Sequence, residues 1–460
     1  MIFDLMTLAA ALSTKKELTM DHSTRLNRRQ LSRRKFLALG GGALAVTAGA
    51  SLLPGAAMAR PNSVVLSPAG SEAAAPPAVA PINRNIHLAG TDGWVSLPAG
   101  ASSVFYPDGL APSPFNTYVF GFRDVTALTS SQTLAQKGKA QVSAPILFAN
   151  EGDRVRITLT NLGLQQRPDL ADSHTIHWHG FQNAIPLFDG VPEMSIAVPI
   201  GRDFTYFYHP HDPGTYMYHC HFEDVEHVQM GMTGVVYVRP ALNTSTARYV
   251  YNDTSTQYNR EFTMFLTEIN LESHYDDAHI QVFDWSEYRA DYRTLNGRSY
   301  PDTIAPGFDP MVIPAAPYQH LQYQPISSLV AAKPGEKVLL RFVNLGYEQQ
   351  AMTLGGIPMR VVGKDAIQLK NGSTDNSYLT NTIYIGPGES YDAIFTAPAY
   401  SGANGSNGYD TYLLYNRKYA ALNNGGAGGY GGQMTEVRIY SSSSSLQAQN
   451  IDQPNTNPGI

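Results

Sequence analysis

Glu151-Gly-Asp-Arg-Val-Arg-Ile-Thr-Leu-Thr-Asn161-Leu-Gly163 returns later in the chain as Pro334-Gly-Glu-Lys-Val-Leu-Leu-Arg-Phe-Val-Asn344-Leu-Gly346. Each copy is a glycine turn, a run in which apolar residues recur at alternate positions, and an Asn-Leu-Gly stop. Period-two alternation bounded by turn residues predicts a strand with one buried face, and its repetition predicts two related units. The match continues outward. Ile200-Gly-Arg-Asp-Phe-Thr-Tyr-Phe-Tyr208 parallels Gly386-Pro-Gly-Glu-Ser-Tyr-Asp-Ala-Ile-Phe395, and Thr215-Tyr-Met-Tyr-His219 parallels Thr411-Tyr-Leu-Leu-Tyr415. Val235-Val-Tyr-Val238 and Thr435-Glu-Val-Arg-Ile-Tyr440 read as the closing strands. An all-β chain of two Greek-key sandwiches is therefore expected.

Composition agrees. Of 460 residues only 15% are charged, 10% are aromatic, and there are 40 Gly and 30 Pro, which suits strands and turns better than long charged helices. The expected organisation is an export segment at 1–59, a flexible Ala/Pro/Ser lead-in at 60–85, a first sandwich at 86–239, a polar linker at 240–260, a second sandwich at 261–440 and a disordered tail at 441–460. Arg25, Arg28, Arg29 and Ser32-Arg33-Arg34-Lys35-Phe36-Leu37 precede a weakly apolar Gly/Ala-rich stretch and Ala57-Met58-Ala59. That order reads as a signal of twin-arginine type, with export to the periplasm or cell exterior and no membrane span once it is removed. Residues 1–59 carry eight Lys/Arg against three Asp/Glu, so without them the formal charge falls from −6 to −11. Such an acidic chain is a poor candidate for nucleic acid.

The one cysteine, Cys220, cannot form an intrachain disulfide. It lies in His219-Cys220-His221, shortly before His227 and Met232. Upstream stands His174-Thr-Ile-His177-Trp-His179-Gly180. Side chains of a strand alternate between faces, so His177 and His179 share one face and His174 points to the other, while His219 and His221 oppose Cys220. If the two segments are neighbours, two sites form back to back. One gathers His174, Cys220, His227 and Met232; the other gathers His177, His179, His219 and His221. Two imidazoles, a thiolate and an axial thioether make a donor set that selects copper. Met230 is the rival axial ligand. His209 and His211 precede Asp212-Pro-Gly and read as a turn or as extra ligands.

These motifs, with Asn296-Gly-Arg-Ser-Tyr-Pro-Asp302, resemble the multicopper oxidase family over residues 86–440. The resemblance implies two tandem cupredoxin-like Greek-key β-sandwich domains and a laccase-like, copper-dependent oxidoreductase. It implies type 1 copper on His174, Cys220, His227 and Met232, type 2 copper on His177, and type 3 coppers on His179, His219 and His221. A phenolic or metal-ion donor would be oxidised at type 1 copper, with electron entry through an exposed edge of His227, passage along Cys220, and dioxygen as acceptor.

The chain departs from that pattern twice. Five residues rather than three separate His221 from His227, placing Glu223, Asp224 and Glu226 beside the site, where they would attract a cationic reductant or simply form a solvated loop. In the second unit Thr353, Gly355 and Tyr415-Asn416-Arg417 stand where the first has histidines, and His274, His279 and His320 are singletons. One chain thus supplies half of a far-side cluster. A homo-oligomer is expected, with first domains pooling histidines, a neighbour's second-domain histidine completing one copper, or a separate protein donating the rest. The alternatives are a type 1 electron-transfer or copper-binding protein without oxygen reduction, a copper nitrite reductase-like enzyme, and a metal-free sandwich.

Overall fold

The computed structural model describes residues 81–100, 102–182, 184–403, 408–449 and 454–455. The export segment and most of the lead-in fall outside them. The first sandwich starts at Asn83, slightly inside the expected lead-in, because Asn83–Val95 pairs in parallel with Arg154–Asn161, the first copy of the repeated strand. That sheet runs Thr117–Asp124, Asn83–Val95, Arg154–Asn161, Asp203–Tyr208. Facing it is a sheet of Leu147–Asn150, Thr233–Arg239, Gly214–His219 and His177–His179.

The second sandwich repeats the plan. Arg260–Ile269 pairs in parallel with Lys337–Asn344, which pairs antiparallel with Ser390–Thr396. The opposite sheet is Val330–Ala332, Met434–Tyr440, Tyr409–Asn416, Gln350–Leu354, Thr382–Ile385. Each sandwich closes on its own apolar core, one around Leu88, Phe120, Ile157 and Trp178, the other around Phe262, Leu340, Val361 and Val437.

The repeated Asn-Leu-Gly stop has the same use in both. Asn161 donates through Nδ2 to the carbonyls of Asp172 and Val198 and accepts from Gly163 N; Asn344 donates to those of Glu348 and Ile385 and accepts from Gly346 N. A side-chain amide thereby satisfies backbone groups where the strand ends, as burial demands.

The sandwiches meet through Met217, Val235 and Tyr237 on one side and Phe265, Val343 and Leu345 on the other. Beside this contact Arg341, fully buried, pairs with Glu261 at 3.0 Å and Asp392 at 3.3 Å, while Asp392 accepts from Thr215 at 2.6 Å and from Tyr251 at 2.8 Å. Arg239 adds a 2.6 Å pair to Glu261. Each of these carboxylates has more than one partner, which is what makes buried charge tolerable.

Two expectations change. The polar linker is packed: Val250, Tyr251 and Tyr258 are buried against Leu339, Val362 and Ile394. The described part of the tail is ordered along Arg260–Ile269, with Gln449 bridging the N–H and C=O of Glu261 and Asn455 those of Thr263. Side-chain amides imitate a pairing strand there, so a composition that reads as disorder caps a sheet edge. Among the described residues no helix is long and apolar enough to cross a membrane.

Asn344→Ala should lower the unfolding free energy by roughly 1–3 kcal/mol for each buried backbone group it leaves unpaired, read as a drop in the urea midpoint. A midpoint unchanged from wild type would show that the Asn-Leu-Gly stop contributes nothing to the second sandwich.

Candidate metal centre

Strand Gly214–His219 sits between His177–His179 and Thr233–Arg239. His177 faces His219 across the first pairing, and Cys220 N donates to Met232 O at 3.1 Å across the second extension. The two motifs are thus neighbours, with Cys220 turned to one side and His177, His179 and His219 to the other.

On the inner side, His174, Cys220 and His227 bring one ligand atom each within 4.8 Å of one another, all buried. Cys220 Sγ lies 3.2 Å from His227 Nδ1 and accepts the N–H of Thr175 at 3.4 Å. Thr175 Oγ1 in turn accepts from His221 N at 2.8 Å, which ties the two histidine segments together. A Cβ on Gly90 would fall 2.8 Å from His174 Cδ2 and 3.3 Å from Met232 Cε, so both side chains converge over the same glycine of the facing sheet. Met230 is equally buried, in the apolar core.

On the outer side, His177, His179 and His219 form a second group within 4.8 Å. His221 is beside them, its ring 5.2 Å from that of His177 and 5.5 Å from that of His219. His177 Nδ1 donates to Asp189 O at 2.7 Å and His219 Nδ1 to Cys220 O at 2.8 Å. A carbonyl only accepts, so these bonds put the proton on Nδ1 and leave Nε2 with its lone pair, the state a metal requires. Burial, opposed by its carbonyl bond and reinforced by neighbouring histidines, takes His219 down to about 3; burial likewise lowers His177 and His179. The second sandwich reaches this side as well: a Cβ on Gly388, at φ 78°, would sit 3.1 Å from His179 Nε2.

The inner donors fit copper on their own chemistry. Neither ring nitrogen of His174 has a hydrogen-bond partner among the described residues, nor does Nε2 of His227, although both residues are fully buried. Unpaired buried polar atoms cost on the order of 1–3 kcal/mol each unless something binds them. Burial, then the nearby His227, pushes His174 well below the usual imidazole range. For His227 burial is outweighed by the Cys220 sulfur and by Asp172, 3.6 Å from Nε2, and the pKa is pushed up to about 10. A metal ion held there needs a neutral His227 ring, so its binding would displace the His227 proton.

The second sandwich offers the control. Its register pairs Thr353 with Tyr415 and Tyr415 with Met434, as the first pairs His177 with His219 and His219 with Thr233. Gln350, Asn416 and Gln433 consequently occupy the places of His174, Cys220 and Met232. They satisfy one another: Asn416 Nδ2 donates to Gln350 Oε1 at 2.6 Å and Gln433 Oε1 at 2.7 Å, and Gln350 Nε2 donates to Glu268 at 2.5 Å. Sequence reading saw that ligands were missing here; it did not see that amides had closed the site. The scattered histidines have separate uses, His274 buried against Tyr118 O at 2.6 Å, His279 on Asp108 at 3.0 Å and His320 on Asp302 at 3.2 Å. His209 and His211 pack edge to face in an exposed turn, their ring centroids 4.3 Å apart, and join neither group.

One expectation fails. His227 is 0% exposed, as are His174, Cys220 and Met232, so no ligand edge meets solvent. The lengthened segment after His221 folds into a helix, Asp224–Met230, entered through Glu223 at φ 46°, and this helix with Phe222 and Asp172 roofs the site. Asp172, Glu223 and Glu226 form with His227 a third group of possible ligand atoms within 4.8 Å.

Comparison with known proteins agrees with this geometry. Multicopper oxidase family models match residues 124–243 and 276–408, together more than half the sequence. The chain belongs to the multicopper oxidase family, whose members bind copper. An iron transport multicopper oxidase, fetC, of Epichloe festucae is 28% identical over 240 residues, 51% of this chain and 32% of that protein. Laccase abr2 of Aspergillus fumigatus is 35% identical over 105 residues, 22% of this chain and 16% of the relative. The chain spans less than half the length of the curated relatives it matches. In fold it resembles the blue copper oxidase of Nitrosomonas europaea, with a TM-score of 0.53 at 22% identity over 78% of this chain and 86% of that one. The multicopper oxidase mgLAC gives 0.53 at 21% over 81% and 90%.

Gly90→Ala should tilt the His174 ring and weaken copper retention at the inner group by roughly ten-fold or more, as displaced ligands commonly do. Competition with a copper chelator would measure it. Unchanged retention would mean that His174 does not bind the metal.

Proposed function

We propose that this chain is a copper-dependent oxidoreductase of multicopper oxidase type, oxidising a small donor with dioxygen as acceptor. His174, Cys220, His227 and Met232 would hold type 1 copper; His177, His179, His219 and His221 would hold part of a type 2/type 3 set. Copper bound there supplies one-electron redox chemistry. The observation that carries the reading is the arrangement of two imidazole-rich groups on opposite sides of one residue, Cys220, whose neighbours in sequence belong to the far group.

The protein's own groups account for the rest. Cys220 offers a short covalent path from its sulfur through two peptide units to His219 and His221. Carbonyls of Asp189 and Cys220 hold His177 and His219 in the ligating tautomer. The helix Asp224–Met230 and Phe222 exclude water from the thiolate. Because the roof carries Asp172, Glu223 and Glu226, a metal-ion donor fits the entry better than a phenol. The name of the Epichloe relative, an iron transport oxidase, is of the same kind.

The far group is half of what a cluster needs, and a second copy of the chain is proposed to complete it. Next to His177 the segment leading to Asp203 exposes Ile185, Leu187, Met194 and Ile196, an apolar rim suited to burial against another subunit. Export by the twin-arginine route to the periplasm or exterior is proposed on residues 25–59 of the sequence alone.

Copper-loaded protein should contain more than one copper per chain, be intensely coloured, exceed a monomer in mass, and consume oxygen with a divalent iron or manganese donor. Cys220→Ser should abolish the colour and the oxidation while keeping copper on the far histidines. About one copper per chain with colour and no oxygen uptake would replace the oxidase with an electron carrier; anaerobic nitrite consumption would replace it with a nitrite reductase. A paired Glu223→Gln, Glu226→Gln change should lower kcat/KM for the metal-ion donor roughly ten-fold through lost electrostatic attraction, and a phenolic donor much less. Equal losses for both donors would contradict metal-ion entry at the acidic roof.

A further inference from the structure

The helix Asp224–Met230 has two sides with different tasks. Val225 and Gln229 are four residues apart and share one face, and His227, midway between them, points to the opposite face. His227 turns inward to Cys220, whereas Gln229 turns to the second sandwich. There the hydroxyl of Tyr347 donates to Val225 O. Gln229, 5% exposed, donates through Nε2 to Glu268 O at 3.1 Å and meets His274 Nε2 at 3.5 Å. Both protons of the amide are thus directed at acceptors across the domain boundary.

His274 is fixed in the state this needs. Its Nδ1 donates to Tyr118 O at 2.6 Å, so Nε2 is left as an acceptor, and burial takes its pKa down to about 4, keeping the ring neutral. Tyr118 packs edge-on against Phe120, and Phe120 packs edge-on against His227 with centroids 5.6 Å apart. His274 therefore holds the ligand from two directions, through Gln229 in the helix and through the strand beneath. The gap between the helix and the second sandwich, lined by Val228, Gln229, Gly231, Glu268, His274 and Gly346, amounts to about 10 Å³, room for no more than one water.

We infer that Gln229 is a positioning residue of the thiolate site, and that the second sandwich, which has no copper ligands, sets the geometry of His227 by clamping the far face of its helix. This rests on the reading of His174, Cys220, His227 and Met232 as a copper site. Gln229 touches no ligand atom; it acts by fixing the backbone two residues from one. Loosening that backbone leaves the donor set intact and changes its geometry, to which the redox potential and colour of a thiolate copper site respond.

The experiment compares copper-loaded wild type with Gln229→Leu, His274→Gln and, as a control, Tyr292→Phe. The hydroxyl of Tyr292 makes another bond between the sandwiches, to Pro98 O at 2.9 Å, on neither the helix that carries Gln229 nor the one that carries His274. Gln229→Leu should shift the reduction potential and the visible and paramagnetic-resonance spectra, and speed copper loss roughly ten-fold or more. His274→Gln, which keeps an acceptor facing Gln229, should give a smaller shift of the same sign, and Tyr292→Phe should leave all three readouts at wild-type values. If Gln229→Leu does not fold, the His274→Gln comparison carries the test. Wild-type potential and spectra in both helix-side variants, or an equal shift in the control, would overturn the clamp. A wild-type protein that never colours with Cu(II) would instead remove the copper site on which the inference stands.

Discussion

The arrangement turns on a parity constraint at three consecutive residues. A strand sends successive side chains to opposite faces, so His219 and His221 must point away from Cys220. Given one neighbouring strand carrying His177 and His179, and one carrying Met232 at its entrance, the inner and outer groups cannot mix. Three contacts in the first sandwich support this arrangement: the Asn161 amide at the strand end, the Thr175 hydroxyl joining the two histidine segments, and Gly90 leaving room for His174 and Met232. A shift of one residue would send Cys220 outward and destroy both groups together.

The two sandwiches show what a donor set looks like with and without a use for metal. In the second, Gln350, Asn416 and Gln433 donate and accept among themselves, and the pocket is closed by its own hydrogen bonds. In the first, both buried ring nitrogens of His174 are left without hydrogen-bond partners among the described residues, and His227 lies between the Cys220 sulfur and Asp172. A fold stabilises by satisfying buried polar atoms, so the unsatisfied copy is the one that awaits a ligand. The second sandwich meets the first across a buried charge network and packs on the helix that carries His227.

Much of this was legible in the sequence because it depends on short periods. Alternation gave the strands, repetition of the Asn-Leu-Gly unit paired the sandwiches, and parity separated His174 and Cys220 from His177, His179, His219 and His221. What escaped depends on long-range contact. The segment 224–230 is too short for helical periodicity to register, so the roof over His227 read as an acidic loop and His227 as an exposed edge. The bonds of Gln229 to Glu268 and of Arg341 to Glu261 span dozens of residues, and nothing local signals them. The tail misled for a related reason: its Gln and Asn residues are polar in composition yet bond like backbone to Glu261 and Thr263.

The central claim is that this chain holds metal in two separate groups back to back across Cys220. An anomalous-scattering map of copper-loaded crystals, recorded at the copper absorption edge, tests it most directly. The account predicts one copper peak among His174, Cys220, His227 and Met232, and at least one more on the opposite side among His177, His179, His219 and His221. Peaks confined to the exposed His209 and His211, or none near the Cys220 sulfur, would contradict it.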